Sequence, residues 1–380
     1  MRIVLIAFGC LLSVVVSAQK NNYYLLVGTY TKGTSEGIYS YQFNADIGTA
    51  KLVATAKTDN PSYLTVSNKD AFVYAVKEGG DNNISAATAY TFDKHSGKLS
   101  LINTQSTKGA GPCYITVDKQ NKWVFTANYK GGSLSAFCVH KDGSLDTVQQ
   151  FIQHAGSSIV KDRQQEPHVH TAIFSTDEQY LFTTDLGTDK IIAYPFNASN
   201  KKNPLDTLQS IVLQSTAGNG PRHIAFNTSN KNAYIINELS GTIDVYSFTG
   251  NAAKRIQTIS TDSTDNKDKG CADIHISADN KFLYATNRGR YNTIATFAVS
   301  ENTGTLKLLQ VLPSGGIMPR NFTIDPSGNY VLVGHQQSNN IAVFKRDQHS
   351  GLLMNTGKDI LVGNPVCLKM GSINSSQILQ

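Results

Sequence analysis

A short turn that opens a brief apolar run recurs about every fifty residues along this chain, at positions 61, 112, 167, 221, 272, 319 and 365. In register the segments include Asn60-Pro61-Ser62-Tyr63-Leu64, Gly111-Pro112-Cys113-Tyr114-Ile115, Gly220-Pro221-Arg222-His223-Ile224 and Met318-Pro319-Arg320-Asn321-Phe322. Cys271-Ala272-Asp273-Ile274-His275 fits the series without its proline. A period of this length is the signature of a β-propeller, in which each repeat forms one four-stranded blade. Between anchors, β-branched and aromatic runs alternate with Gly, Asp and Asn turns, as hairpins require. The third repeat shows this best, with strands predicted at 114–117, 123–127, 133–139 and 144–151. An unbroken repeat predicts one ring, not two domains.

The two ends complete the pattern. Residues 24–28 match a second strand with no first strand before them, and residues 365–370 match a first strand with no blade after them. The C-terminal strand is therefore expected to join the N-terminal blade, closing an all-β, seven-bladed propeller and covering both open edges. Residues 1–18 read differently: Arg2, an apolar run over 3–16, and Val16-Ser17-Ala18 before Gln19 predict a cleaved export signal. The run is short for a membrane span. Residues 19–380 are then the propeller domain, expected in the periplasm or outside the cell, without a membrane span and as a monomer or weak homo-oligomer.

The net charge of +6 comes without a dense Lys/Arg tract, so no nucleic-acid partner is expected. Cys113, Cys138, Cys271 and Cys367 follow the signal. First and third strands of a blade are not neighbours, which disfavours a Cys113–Cys138 bridge, and buried free thiols are expected.

In a propeller blade the first strand lines the channel, and its start meets the end of the second strand at one rim. Both zones are polar here. Strand-one starts supply His168, His170, Arg222, His223, Asp273, His275, Arg320 and Asn321. Strand-two ends supply Lys77-Glu78, Asn128-Tyr129-Lys130, Asp185, Asn237-Glu238, Asn287-Arg288 with Arg290, and His335-Gln336-Gln337. Alternation allows His168 with His170, and Asp273 with His275, to share faces. Arginines outnumber acids at this mouth, and guanidinium groups suit carboxylate and phosphate, so an anionic small molecule is the implied ligand. His168-Val169-His170 with Asp185 has the spacing of a metal site, but the arginines would oppose a cation, and neither metal nor cofactor is expected. No P-loop, dinucleotide fingerprint, nucleophile elbow or zincin motif occurs. The insertions at 155–165 and 261–269 are read as mobile surface rather than lids.

These residues resemble the seven-bladed lactonase family, which includes propeller-type 6-phosphogluconolactonases and carboxymuconate cyclases. The likeness rests on Gly220-Pro221-Arg222-His223, Asn237-Glu238-Leu239, Ala272-Asp273-Ile274-His275, Asn287-Arg288, Pro319-Arg320-Asn321-Phe322 and Glu166-Pro167-His168-Val169-His170. It implies a lactone-opening or lactone-forming site with His168 or His170, Arg222, Glu238 and Arg288 as catalytic residues. Arg320, Lys77, His223, Asp273, His275, His335 and Gln336 would surround a small anionic lactone. The expected reaction is hydrolysis of an anionic sugar lactone such as 6-phospho-D-glucono-1,5-lactone, with Glu238 or a histidine as base. Carboxymuconate cycloisomerisation and a non-catalytic exported binding module stand as alternatives.

Overall fold

Seven antiparallel sheets surround one axis, with strands in chain order from the axis outward. The fold is seen in a computed structural model that describes residues 21–79, 84–249, 252–262 and 270–373. The export signal read at 1–18 and most of the 261–269 insertion lie outside these residues. Blade 5 shows the plan: Pro221–Phe226, Asn232–Asn237, Thr242–Thr249 and Ala252–Ser260 pair in succession. Closure occurs as the sequence predicts. Pro365–Ser372 pairs antiparallel with Asn22–Thr29 and forms the inner strand of blade 1.

Neighbouring blades are joined by polar side chains from second strands that reach the outer hairpin of the next blade. Tyr24, Tyr74 and Tyr284 donate to the carbonyls of His95, Gly143 and Gly351. Trp123 and Asn232 make the same reach to Ala198 and Thr303. Each such residue buries a ring or amide between apolar blade faces while satisfying its polar end.

One repeated hydrogen bond fixes the register of all seven blades. A residue at the end of each second strand donates its N–H to a carbonyl of the turn that leads into the inner strand: Tyr30 to Asn364, Glu78 to Asn60, Tyr129 to Gly111, Leu186 to His168, Glu238 to Gly220, Arg288 to Gly270 and Gln336 to Met318, at 2.7–3.2 Å. Asn60, Gly111, Gly220, Met318 and Asn364 adopt positive φ there, which turns the carbonyl toward its donor. The equivalent anchors are thus Pro61, Pro112, Val169, Pro221, Cys271, Pro319 and Pro365. This corrects two sequence assignments, because Pro167 and Ala272 are not the anchors of blades 4 and 6. Val169 pairs with Asp185 as Pro221 pairs with Asn237.

The cysteines are free; three are buried, but Cys138 is only half-buried. The 155–165 segment, largely exposed, is anchored to blade 4 by side chains. Gln164 is fully buried and donates to the Leu186 carbonyl, and Ser158 donates to Asp189. It forms a strap along the rim of blade 4.

Candidate active site

Side chains alternate along a strand, so the register divides the polar residues at the second-strand ends into two sets. One residue at the end of each second strand (Thr29, Lys77, Asn128, Asp185, Asn237, Asn287 or His335) turns away from the axis. Asn128 donates to Ser133 and Ser135, Asn237 to Thr242 and Asp244, and Asn287 to Thr293. The next residue of each blade takes the opposite side of the pleat, so Tyr30, Glu78, Tyr129, Leu186, Glu238, Arg288 and Gln336 form one ring at the mouth.

Three candidates therefore leave the mouth. Lys77 occupies the outward register and pairs with Asp59 at 2.8 Å beside Lys57 and Tyr90. His335 is fully buried against Ser314, 3.0 Å away, under the link between blades 6 and 7. His275 lies two residues down the channel from Asp273 and lines a cleft on the opposite face with Asp279, Asp325 and Arg346. Gln336 keeps the mouth register, and its buried Oε1 has no protein partner.

Glu238 is the centre of the basic cluster. Its Oε2 lies 3.0 Å from Arg222 Nε and 2.7 Å from Arg288 Nη2, while Oε1 accepts from Arg163 Nη2 at 2.6 Å. Burial alone would push the carboxyl pKa up, but Arg288, Arg222 and Arg163 outweigh it and hold it well below the carboxylate range. Burial, then the neighbouring Arg288, lower Arg222 to about 10, so it stays cationic at neutral pH. Arg222 also donates to the Ala272 carbonyl, and Arg288 to the carbonyls of Gly270 and Cys271. Among the described residues, Arg222 Nη2 and Arg288 Nη1 have no protein hydrogen bond.

Blade 4 supplies the histidines. His168 Nδ1 lies 3.0 Å from the Tyr129 carbonyl oxygen. A carbonyl only accepts, so Nδ1 carries the hydrogen and the neutral ring presents its lone pair at Nε2. The half-buried ring stacks on Tyr129 at 4.5 Å, and the Tyr129 hydroxyl accepts from Arg163. His170 meets the other side of the same tyrosine edge-on at 5.4 Å. It is buried, and burial followed by Arg222 holds its pKa well below the usual imidazole value. Asp185 does not join these rings as a metal ligand. Its oxygens hold His154, the His168 amide and the amides of Gly187 and Thr188.

Below the mouth, Asp273 ties the axis together. It bonds His223 at 2.7 Å and His275 at 2.9 Å, and accepts from Asn321 and the Phe322 amide. Burial and Arg222 lower His223 to about 3 despite Asp273. These residues brace the inner strands and form the floor under Arg222.

On the far side of the mouth, the Arg320 guanidinium lies 5.4 Å over the Tyr30 ring, and among the described residues it makes no ion pair within 4 Å. Tyr30 donates to Glu78 Oε2 at 2.8 Å. Sequence reasoning placed Glu78 and Tyr129 at this rim without giving them, or Tyr30, a role in the site, and it missed Arg163. Arg163 comes from the strap, outside the repeat, and left no periodic signal.

Four guanidinium groups and two carboxylates thus gather at the mouth of a closed seven-bladed propeller. The family model described as "Lactonase, 7-bladed beta-propeller" matches residues 24–370. The chain belongs to this family. It is 36% identical to a 6-phosphogluconolactonase of Formosa agariphila over 91% of this chain and 99% of that protein. Identity is also 36% to the 6-phosphogluconolactonase of Bacillus subtilis, over 90% of this chain and 97% of that one. The periplasmic gluconolactonase PpgL of Pseudomonas aeruginosa superposes with a TM-score of 0.88 at 35% identity, covering 93% of this chain and all of that one.

Proposed function

We propose that this protein hydrolyses a sugar lactone bearing an anionic group, 6-phospho-D-glucono-1,5-lactone being the reference substrate, without a cofactor. The observation that carries this reading is the set of open donors on Arg222 and Arg288, held rigid by Glu238. A lactone carbonyl placed against them would develop its oxyanion on preorganised cations. His168 Nε2 is the base in this scheme. It takes a proton from water as the water oxygen bonds the carbonyl carbon, then returns it to the ring oxygen as that carbon–oxygen bond breaks. Glu238 is not the base in this reading, because three guanidinium groups make it a weak one; it positions the arginines. Arg320 would hold the phosphate. The two 6-phosphogluconolactonases that align over nine-tenths of the chain support the substrate class.

Acid release from 6-phosphoglucono-1,5-lactone, measured against its spontaneous hydrolysis, tests the proposal. Acceleration by the wild type that is lost in Arg222→Met supports it, and equal rates with and without protein would sink it. We further infer action outside the cytoplasm, from the apolar run at 3–16 and the similarity to a periplasmic gluconolactonase. Fractionating cells that express the chain with and without residues 1–18 checks this; cytoplasmic retention of both would contradict it.

A further inference from the structure

The mouth has two unlike halves. Glu238 saturates its oxygens with arginines from two blades and the strap. Glu78, in the same register of blade 2, does not. Its Oε2 accepts from Tyr30, its Oε1 has no hydrogen-bond partner among the described residues, and no cation lies within 4 Å of it. Arg320 is near enough to feel Glu78 and Tyr30 electrostatically, yet it is not in contact with the carboxylate. Buried Cys113 lies against His170 and the Val169 carbonyl. Burial pushes its thiol pKa up, which makes it a neutral, small surface. A carboxylate with a free oxygen, aligned by a tyrosine and set apart from a free guanidinium, is suited to accept hydroxyl hydrogens. It repels a second carboxylate at the same place.

We propose that Glu78, aligned by Tyr30, is a hydroxyl-reading residue of the mouth. It selects ligands that carry ring or chain hydroxyls next to their anionic group and rejects lactones that carry a carboxylate there. The inference rests on the lactone reading for its ligand and adds the basis of selectivity. It is tested with wild type, Glu78→Gln and Tyr30→Phe, all full-length. Binding of 6-phosphogluconate and its mono-deoxy analogues is measured by calorimetry, beside turnover of the matching lactones and of a carboxylated muconolactone.

For the wild type, removing one particular hydroxyl should weaken binding on the order of 10- to 100-fold, the worth of a hydrogen bond to a charged group. In Glu78→Gln that discrimination should shrink to within a few-fold, and the carboxylated lactone should gain relative to the hydroxylated one. Tyr30→Phe should show the same trend more weakly. A merely structural Glu78 would weaken all analogues equally, and an unchanged hydroxyl preference in Glu78→Gln would overturn the inference. Turnover of none of the lactones, with hydroxyl-dependent binding that Glu78→Gln erases, would reject the catalytic reading and keep this one.

Discussion

Glu238 has two oxygens and three guanidinium groups upon them, and this decides which residue can move a proton. A carboxylate so held stays ionised through the neutral range, so its protonation cannot set the acid limb of a pH–rate profile. In the proposed scheme proton transfer falls to His168, whose Nδ1 is fixed as a donor by the Tyr129 carbonyl. His168→Asn should lower kcat by roughly 10²–10⁴-fold and flatten the acid limb. Glu238→Gln should also lower kcat but leave the limb in place, because it disorders the arginines instead of removing a base. Stopped-flow pH profiles of the two variants separate these roles; a limb that disappears in Glu238→Gln would reverse them. Arg222, Glu238, Arg288 and His168 could be named from the sequence because they stand in the motifs that resemble the lactonase family. Lys77 was misplaced because a residue and its successor face opposite sides of a pleat, and only the hydrogen-bond register tells which faces the mouth.

At the scale of elements, the strap and the closing strand do different work. The strap returns to blade 4 past Gly187, where a Cβ would collide with the Glu166 carbonyl and crowd the His168 amide. Gly187→Ala should therefore push the segment that carries Arg163 and His168 outward, costing about 1–3 kcal/mol. It should lower activity more than Ala substitution at an exposed strap residue such as Lys161, as measured by denaturant unfolding and initial rates. Unchanged kinetics in Gly187→Ala would mean that the strap plays no part in positioning these groups. Closure is a larger matter. Pro365–Ser372 covers the whole inner edge of Asn22–Thr29 and also packs against Pro319–Ile324 and Leu64–Val66. Truncation after residue 362 should leave unpaired edges on blade 1 and abolish the cooperative unfolding transition, seen as broad thermal melts and aggregation. This closure could be read from the sequence because the missing strand at one end and the surplus strand at the other are both visible in the repeat. The strap could not be read, since an insertion within a repeat shows its length but not what it folds upon.

For the whole molecule, the ring holds imidazoles that burial disfavours in their charged form, His170 and His223 at the axis and His335 between blades 6 and 7. Burial and Arg222 lower His223 to about 3, burial lowers His335 to about 4, and burial with Arg222, His223 and Arg320 nearby holds His170 well below its ordinary value. Asp273 and Asp359 oppose these shifts without cancelling them. In the unfolded chain the same groups titrate near about 6.5. Below that pH the unfolded state binds more protons than the folded one, so stability is full above about pH 6.5 and falls as the medium is acidified. The slope approaches about 1.4 kcal/mol per pH unit for each histidine, or about 4 for the three together near pH 5. Burial raises the Asp273 and Glu238 carboxyls, but their cationic and hydrogen-bonding partners leave both depressed. Their contribution is present above the unfolded carboxylate pKa and is lost only as pH drops further, toward their depressed folded values. In the interval from about pH 6.5 to 4.5 the histidines dominate the loss, and the Asp325 and Glu178 carboxyls, raised by burial, act in the opposite direction toward its acid end. Urea unfolding across it should show a steep loss of stability that His335→Gln reduces by roughly one third. A stability that stays level between pH 7 and 5 would mean that these rings take up protons in the folded ring, and that the channel is wetter than its packing implies.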